Sequence, residues 1–382
     1  MSKIIIGEKY SKISLKLFFD KAHDLFPELK FILKKKYLEI KFKNKKISKK
    51  KLKSIYETIE IIQRLEKKKI FYKSDKKIIF KKNPLPFLKK KNEIKRIDSK
   101  LFQFQGNFLK IFRKLNEYFY NLAILKYKAL DQENPVLWPI DLYKKINYFS
   151  EFPQQILLVA GLKKDSKVYN NFSKIYSKEK KYHDIKINKN FDSSDYGLQP
   201  AVCDNCYYAL KNVTKFKNNI FTTYNKVFRN ENSKVNSLDR LITFSVRDIM
   251  FVGSKKFVLS TKKQLLNEIK KFFLKTGLNF SIEIANDPFF IGKLNKNIFQ
   301  HSHELKYEIL TKIPFLKKKI AVGSINLHLD TFGKAFNIKN KKEFIYSGCV
   351  GIGFERLMLA LYSQHGVFLK NWPKKFLKLI KY

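Results

Sequence analysis

The sequence contains little that would suit an oxidising environment or a membrane. Its 382 residues include three cysteines, Cys203, Cys206 and Cys349, which are too few for a disulfide framework. No apolar run approaches the roughly 20 residues that a membrane-spanning helix needs, and the N-terminus lacks the apolar segment of a signal peptide. We therefore predict a soluble, cytoplasmic protein in a reducing compartment, with no membrane partner.

Arginine is also scarce. Only seven of the 80 basic residues are arginine, and with 33 acidic residues the net charge is +47. The abundance of Lys, Ile, Asn, Phe and Tyr is typical of drift in an AT-rich genome, so the charge reflects either drift or a polyanion-binding surface. The few arginines mark positions where a planar, bidentate guanidinium is needed. Four of the seven lie between residues 229 and 356.

The pattern of the chain changes near residue 100. Residues 1–100 are the most lysine-rich part; alternation over 37–42 predicts a strand, and apolar residues at Leu52, Ile55, Ile59 and Ile62 predict a helix. This part is predicted to be a small α/β N-terminal extension of unknown role. Residues 101–382 form the second predicted domain.

In the second domain, apolar spacing predicts a long helix over 107–126. Thr261 and Gln264 have the spacing of a capping box and predict the start of another helix, which Gly277 ends. The predicted strands come in runs instead of alternating with crossover helices. This order indicates an α+β fold with a largely antiparallel sheet flanked by helices.

Glycines mark a nucleotide-type turn near the C-terminus. Gly348, Gly351 and Gly353 separate a short apolar run from a helical pattern, with Arg356 on the first helical turn. Glycines let the backbone approach a ligand, and an arginine there can meet a phosphate or lie on a base. A dinucleotide fingerprint would need a third glycine at the position of Arg356, so another kind of nucleotide chemistry is indicated.

A second stretch carries complementary chemistry. Arg229 and Glu231 lie at the end of one predicted strand, and Phe244 lies on the next. An arginine for a phosphate, a carboxylate for an adenine amino group and an aromatic ring for stacking would form an ATP site. The stretch with Arg229, Glu231 and Phe244 alone is weak evidence for ATP binding, because charged residues are common on strands. Its occurrence together with the glycine turn and Arg356 favours the ATP site.

These segments resemble motifs 2 and 3 of the class II aminoacyl-tRNA synthetases. Phe228-Arg229-Asn230-Glu231 with Phe244 looks like motif 2, and Gly351-Ile352-Gly353-Phe354-Glu355-Arg356 looks like motif 3. The chain resembles the truncated homologues called amino acid:[carrier protein] ligases, which are themselves similar to the atypical, zinc-dependent archaeal seryl-tRNA synthetases. The resemblance covers about residues 100–375 and implies the class II synthetase-like antiparallel sheet.

The resemblance implies an ATP site with Mg²⁺. Arg229 and Arg356 would be catalytic by stabilising charge on the phosphates, and Arg240 and Leu241 lie where the motif 2 loop closes on the nucleotide. Ser324 and Asn326 match a strand at the nucleotide and Mg²⁺ end, or are ordinary polar residues at a strand end. The full set implied for ATP binding is Arg229, Glu231, Arg240, Leu241, Phe244, Lys306, Ser324, Asn326 and Arg356.

The resemblance also implies a zinc ion. From the residues alone, Cys203-x-x-Cys206 is either half of a zinc knuckle or two unrelated cysteines. The family pattern instead implies zinc held by Cys203, Asp248 and Cys349, with the substrate amino group as fourth ligand; Asp248 would thus also bind substrate. The family has Glu at the position of Asp248, and the shorter side chain reduces the reach by about 1.5 Å.

The implied activity has two half reactions. A small amino acid, glycine or alanine, reacts with ATP to give an aminoacyl-adenylate, and the acyl group then passes to the phosphopantetheine thiol of a carrier protein. The alternatives are a seryl-type tRNA ligase and a non-catalytic, basic RNA-binding paralogue. Because about 100 residues precede the implied catalytic domain, the carrier protein is favoured over tRNA. A homodimer is also implied, with the helix at 107–126 and the strand and proline after it as the motif 1 candidate.

Overall fold

The computed structural model describes most of the chain. The described residues are 2–7, 9–11, 14–16, 18, 19, 22, 26, 29–34, 37–42, 47–66, 70–98, 101–178, 190–230, 237–285 and 304–382. Among them, no helix is both long enough and apolar enough to cross a membrane.

The N-terminal part is a small module with its own core. It contains β1 (Ser2–Ile6), β2 (Lys30–Leu33), β3 (Leu38–Phe42) and α1 (Lys49–Glu66). The strands form an antiparallel sheet in the order β1-β3-β2. Ile40 of β3 packs with Ile55 and Ile59 of α1, and all three are fully buried. The predicted strand and helix of this region are therefore confirmed.

The middle of the chain supplies an edge strand, a long helix and several short elements. In order these are β4 (Ile70–Ser74), α2 (Leu85–Lys90), β5 (Ile94–Asp98), β6 (Leu101–Phe104), α3 (Gly106–Asn121), a π-helical turn (Leu122–Lys126), β7 (Leu130–Asp131), β8 (Leu137–Pro139), α4 (Ile140–Lys145), α5 (Tyr148–Glu151), a 3-10 turn (Pro153–Gln155), β9 (Leu158–Leu162) and α6 (Ser166–Lys178).

The remaining elements carry most of the predicted site. They are β10 (Phe191–Leu198), α7 (Asp204–Ala209), β11 (Asn219–Phe228), β12 (Thr243–Gly253), α8 (Lys255–Thr276), β13 (Phe280–Ile284), β14 (Lys306–Ile313), a 3-10 turn (Pro314–Leu316), β15 (Lys318–Leu329), α9 (Thr331–Ala335), β16 (Lys339–Asn340), β17 (Glu343–Phe344), β18 (Tyr346–Gly353), α10 (Phe354–His365), a 3-10 turn (Leu369–Asn371) and α11 (Lys374–Leu379).

An eight-stranded sheet organises the larger body. Its order is β4-β13-β14-β15-β18-β12-β11-β7, and every neighbouring pair is antiparallel except β11 and β7. There are also three smaller sheets among the described residues. One has three strands in the order β8-β10-β9, and the other two are the pairs β5-β6 and β16-β17. The structure thus confirms the predicted α+β fold with a largely antiparallel sheet.

Helices α3, α8 and α10 cover one face of the large sheet. Their apolar stripes share a core with Ile249 and Phe251 of β12 and with Val350 and Ile352 of β18. The opposite face packs only partly, against α7 and α9, in a second apolar cluster that contains Cys203 and Cys349. Because side chains alternate along a strand, every second residue of β12 and β18 is directed away from the three helices.

One predicted helix start is wrong. Helix α8 begins at Lys255, and Ser254 caps it by accepting a hydrogen bond from the Phe257 amide at 3.3 Å. Thr261 is instead a buried residue inside the helix. Ser254, seven residues upstream of Thr261, gives the same kind of cap, so the Thr261–Gln264 spacing was coincidental. The predicted end is confirmed, since Gly277 has φ +72°.

The segment between residues 70 and 98 belongs physically to the larger body. Strand β4 pairs with β13, and Leu85, Leu88 and Ile94 are buried in the main core. The predicted domain boundary near residue 100 therefore divides a continuous packing unit. We propose that the boundary lies between α1 and β4 instead.

Candidate active site

The strand register brings the predicted residues together in rows across the open face of the large sheet. One row runs from Thr223 through Asp248 and Gly351 to Ser324. The neighbouring row contains Cys349 and Asn326, and Asn326 in turn pairs with Lys306. Residues that are far apart in the chain therefore share one face, opposite the helices.

Three potential metal ligands meet at one end of this face. The ligand atoms of Cys203, Asp248 and Cys349 all lie within 4.8 Å of one another, and all three residues are buried. Two come from adjacent strands of the sheet, and Cys203 precedes α7, which packs over them. Cys206 takes a different environment, where its thiol accepts a hydrogen bond from Asn134 at 3.3 Å. The structure thus groups Cys203 with Cys349 instead of with Cys206.

Glycine at position 351 makes room for the Asp248 carboxylate. A Cβ atom at Gly351 would lie 2.5 Å from Asp248 Oδ1, far inside van der Waals contact. At Gly353 the nearest atom to such a Cβ, the Val322 carbonyl oxygen, is 3.8 Å away. Gly351 is therefore required by the site itself, whereas Gly353 has space for a methyl group.

Polar side chains surround Cys349. Asn326 Nδ2 donates to its sulfur at 3.4 Å and to Ser324 Oγ at 3.1 Å, and His328 Nε2 lies 3.7 Å from the sulfur. The other ring nitrogen, Nδ1, lies within 3.4 Å of the Tyr207 hydroxyl and 3.3 Å of Ser347 Oγ. The Cys349 thiol is consequently held in a defined position.

These contacts separate the pKa values of the two thiols. The hydrogen bond from Cys203 lowers the pKa of Cys349 despite its burial, and His328 lowers it further. The same hydrogen bond, together with burial, raises the pKa of Cys203. Burial also raises the pKa of Asp248 and brings that of Asp204 to about 6. Without a cation, this cluster of acidic groups therefore favours a partly protonated state.

The donor set fits zinc. Two thiolates and a carboxylate are zinc ligands, and ligand atoms around one tetrahedral ion lie about 3.5 to 4 Å apart. The three ligand atoms lie within 4.8 Å of one another, which is close enough for one ion to contact all three. Three protein donors leave a coordination position for a substrate atom.

Among the residues predicted for the nucleotide, Phe244 lies toward the opposite end of the face, whereas the charge of Arg229 still reaches the metal cluster and opposes the rise in the pKa of Asp248 and Asp204. The Arg229 guanidinium lies 5.3 Å from the centre of the Phe244 ring, and its Nε donates to the Pro200 carbonyl at 3.0 Å. Phe244 and Asp248 are four residues apart on β12, which is about 13 Å. Arg240 is exposed, whereas Leu241 is buried in the main core. Glu231 lies outside the described residues.

Arg356 is anchored where α10 begins. Its Nε donates to the Asp239 carbonyl at 2.7 Å, and Nη1 donates to the Ala321 carbonyl at 3.3 Å. The preceding Glu355, which the sequence reasoning missed, is buried and accepts from the Ser245 amide at 2.8 Å and hydroxyl at 2.9 Å. The presence of an acidic residue directly before Arg356 in the glycine motif could have indicated this role. The start of α10 is therefore fixed to β12.

Lys306 lies nearer the metal end than its predicted role in ATP binding suggests. It is 9% exposed, and its Nζ lies 3.2 Å from Glu308 Oε1. Asn326, its register partner, also bonds to Cys349. Ser324 and Asn326 therefore lie beside Cys349. Asp204, which was not predicted as a site residue, is also buried here and accepts from the Cys203 thiol at 3.6 Å.

Comparisons with known proteins bear on the family and the fold of this chain. Residues 185–365 match the family model "tRNA synthetase class II core domain (G, H, P, S and T)". The type-2 serine–tRNA ligase of Methanococcus maripaludis strain S2 is 26% identical over 250 residues, which is 63% of this chain and 48% of that protein. Amino acid–[acyl-carrier-protein] ligase 1 of Bradyrhizobium diazoefficiens is 32% identical over 151 residues, 39% of this chain and 45% of that protein.

Among solved structures, the fold is similar to that of M. kandleri SerRS, determined in complex with A. aeolicus tRNASec. The TM-score is 0.72 at 16% identity, with 92% of this chain and 73% of that chain covered. The chain spans about half the length of the curated relatives named above. It therefore contains a class II aminoacyl-tRNA synthetase core domain and is a homologue of both the type-2 serine–tRNA ligases and the amino acid–[acyl-carrier-protein] ligases.

Proposed function

We propose that this protein uses ATP to activate a small amino acid as an aminoacyl-adenylate. The observation that carries the proposal is the arrangement of two kinds of site on one open sheet face. Zinc-type ligands around Cys349 lie at one end, and Arg229 with Phe244 lies at the other. Phe244 and Asp248 are separated by about 13 Å along β12, a spacing that suits an amino acid joined to an adenosine phosphate.

The reaction needs alignment and charge stabilisation more than a protein nucleophile. The amino-acid carboxylate attacks the α-phosphorus of ATP, an oxygen–phosphorus bond forms, and pyrophosphate leaves. In the proposal, Arg229 holds the α-phosphate and Phe244 stacks on the adenine, with Arg356 on the other face of the ring. ATP and Mg²⁺ are expected for a class II synthetase domain.

At the other end, Cys203, Asp248 and Cys349 would hold zinc. The metal, when bound, would act as a Lewis acid and coordinate the amino group of the substrate only in its unprotonated form. The side chains beside it orient the amino acid: Asn326 and His328 fix the Cys349 sulfur, and Gly351 leaves the Asp248 carboxylate in place. These groups and Ser324 form a polar wall that could hydrogen-bond to the hydroxyl of a serine substrate. We therefore add serine to glycine and alanine as proposed substrates.

For the acyl acceptor, the comparisons favour a tRNA 3′ hydroxyl over the carrier protein that the sequence alone favoured. The alignment with the serine–tRNA ligase is longer, at 250 residues against 151. The phosphopantetheine thiol of a carrier protein is the second candidate, because the ligase of that type has the higher identity, 32% against 26%.

ATP–pyrophosphate exchange with each amino acid tests the first half reaction. We expect exchange with serine, glycine or alanine that a zinc chelator abolishes and added zinc restores. Exchange with no amino acid would contradict the proposal and leave the non-catalytic alternative. The activated protein is then offered purified tRNA or a phosphopantetheinylated carrier protein, and the acceptor that becomes acylated identifies the second half reaction.

A further inference from the structure

The short segment 237–241 lies against the start of α10. Leu238 and Leu241 are buried in the main core at 1% and 5% exposure, whereas Arg240 between them is exposed. Two buried apolar residues on either side of an exposed arginine fix the course of the backbone. The direction in which Arg240 leaves the backbone is therefore set by the packing of this segment.

Asp239 makes two separate contacts in this segment. Its main-chain carbonyl accepts from Arg356 Nε at 2.7 Å, and its side-chain Oδ2 accepts from Lys318 Nζ at 2.6 Å. Lys318 is the first residue of β15, and Ala321 of the same strand accepts from Arg356 Nη1. One residue thus connects the segment, the beginning of β15 and the arginine of the glycine motif.

The ion pair with Lys318 is more than an exposed surface contact. The Asp239 side chain is 12% exposed and that of Lys318 is 47% exposed. Burial pushes the pKa of Asp239 upward, but the hydrogen bond and charge of Lys318 outweigh this effect and lower it overall. The carboxylate is therefore charged at neutral pH and holds the lysine at short range.

We propose that Asp239, held by Lys318, is a positioning residue that sets Arg240 and Arg356 for the nucleotide. Asp239 does not touch the reacting atoms in this proposal. It fixes the carbonyl that anchors Arg356 and the backbone that presents Arg240, so that both guanidinium groups are ordered before ATP binds. This inference rests on the proposed function and concerns its nucleotide end alone.

Substitution of either partner tests the proposal. We expect Asp239→Asn and Lys318→Ala each to raise the KM for ATP about tenfold, because the first removes the carboxylate charge and the second removes the charge-assisted hydrogen bond. The KM for the amino acid and kcat should change less than about threefold. The double variant should be no worse than either single variant, and Lys318→Arg should retain most of the ATP affinity, since both residues act through one contact.

A matched ion pair outside the site provides the control. Lys126 and Glu268 lie 2.9 Å apart with side-chain exposures of 53% and 17%, close to those of Lys318 and Asp239. Glu268→Gln should leave the KM for ATP unchanged. An equal rise in this variant, or an unchanged KM in both Asp239→Asn and Lys318→Ala, would overturn the positioning role.

Calorimetric titration with ATP alone separates this inference from the proposed function. Weaker ATP binding by Lys318→Ala supports the positioning role even if the wild-type chain shows no exchange with any amino acid. If exchange occurs and ATP binds the variants as tightly as the wild type, the proposed function stands and the positioning role fails. Should Asp239→Asn not fold, Lys318→Ala removes the same contact from its more exposed side.

Discussion

At position 351 only a hydrogen atom fits between β18 and the Asp248 carboxylate. We expect Gly351→Ala to displace this carboxylate and to lower zinc affinity about 10- to 100-fold, because it disturbs a ligand and its support. Equilibrium dialysis with zinc measures the change. Gly353→Ala is the matched control, since its new methyl group meets nothing closer than 3.8 Å. Equal zinc affinity in the two variants would contradict the assignment of Asp248 as a ligand.

Cys349 and Arg356 are only seven residues apart but are predicted to serve different substrates. We expect Cys349→Ser to abolish stoichiometric zinc binding and amino-acid recognition, because a hydroxyl does not replace a thiolate ligand. Arg356→Lys should raise the KM for ATP about 10- to 100-fold, because lysine cannot reproduce the two anchored guanidinium contacts. Metal analysis and exchange kinetics distinguish them. Equal, mild effects would mean that the glycine turn is only architecture.

At the scale of single elements, the end of α10 contains a buried histidine. His365 donates from Nε2 to the Thr276 carbonyl at 2.9 Å and lies beside Trp372. Burial lowers its pKa below the usual 6.5, although the Thr276 hydrogen bond opposes the shift. The folded state therefore binds the proton less readily than the unfolded state. The stability contributed by neutral His365 is present above about pH 6.5 and is lost as pH falls below that value.

Urea unfolding at pH 7.5 and 5.5 measures this effect. The free energy of unfolding should fall on acidification, with a contribution from His365 of up to about 1.4 kcal/mol per pH unit. His365→Gln keeps an N–H donor but cannot titrate, so its unfolding free energy should depend less on pH than that of the wild type. The same pH dependence in both proteins would exclude His365 as the cause.

The candidate dimer element has a different surface from the one its sequence suggests. The apolar stripe of α3, including Phe108 and Phe119, is buried in the core of its own chain. The exposed apolar side chains nearby are Leu125 and Leu130, which follow the helix and are 66% and 52% exposed. Homodimerisation stays a prediction, and Leu125 and Leu130 are exposed apolar side chains that this part of the chain offers for it.

At the scale of the whole molecule, two truncations test the proposed boundary. A chain that begins at residue 67 loses the N-terminal module, whose core is separate, and should unfold cooperatively and still bind ATP. A chain that begins at residue 101 also loses β4 and the buried Leu85, Leu88 and Ile94. Each buried side chain contributes about 1.5 to 3 kcal/mol, against a typical total stability of 5 to 15 kcal/mol.

We therefore expect the shorter chain to be insoluble or to unfold without cooperativity. Circular dichroism during thermal unfolding, compared with the full chain, provides the measurement. Equal stability of the two truncated chains would support the boundary near residue 100 that the sequence predicted.

Local pattern and spacing determined much of this protein. Alternation and apolar periodicity placed β3, α1 and α3, because burial on one face imposes these periods, and the sequence also predicted the two strands that became β11 and β12. The order of Arg229, Phe244, Gly351 and Arg356 identified the class II resemblance and the nucleotide end. The Thr261 capping prediction failed because a cap depends on where a helix enters the packed core, and an upstream serine satisfied the same chemistry.

The tertiary structure alone decided which distant residues meet. Cys203 could pair with Cys206 or Cys349 by sequence; the packing of α7 over β18 chose Cys349, and Cys206 turned to Asn134. The contact of Asp239 with Arg356 crosses 117 residues and depends on how a short segment packs against α10. Strand β4 belongs to the large sheet because it pairs with β13, which is more than 200 residues away in the chain. Such contacts follow from strand register and helix packing over the whole chain, which no local pattern contains.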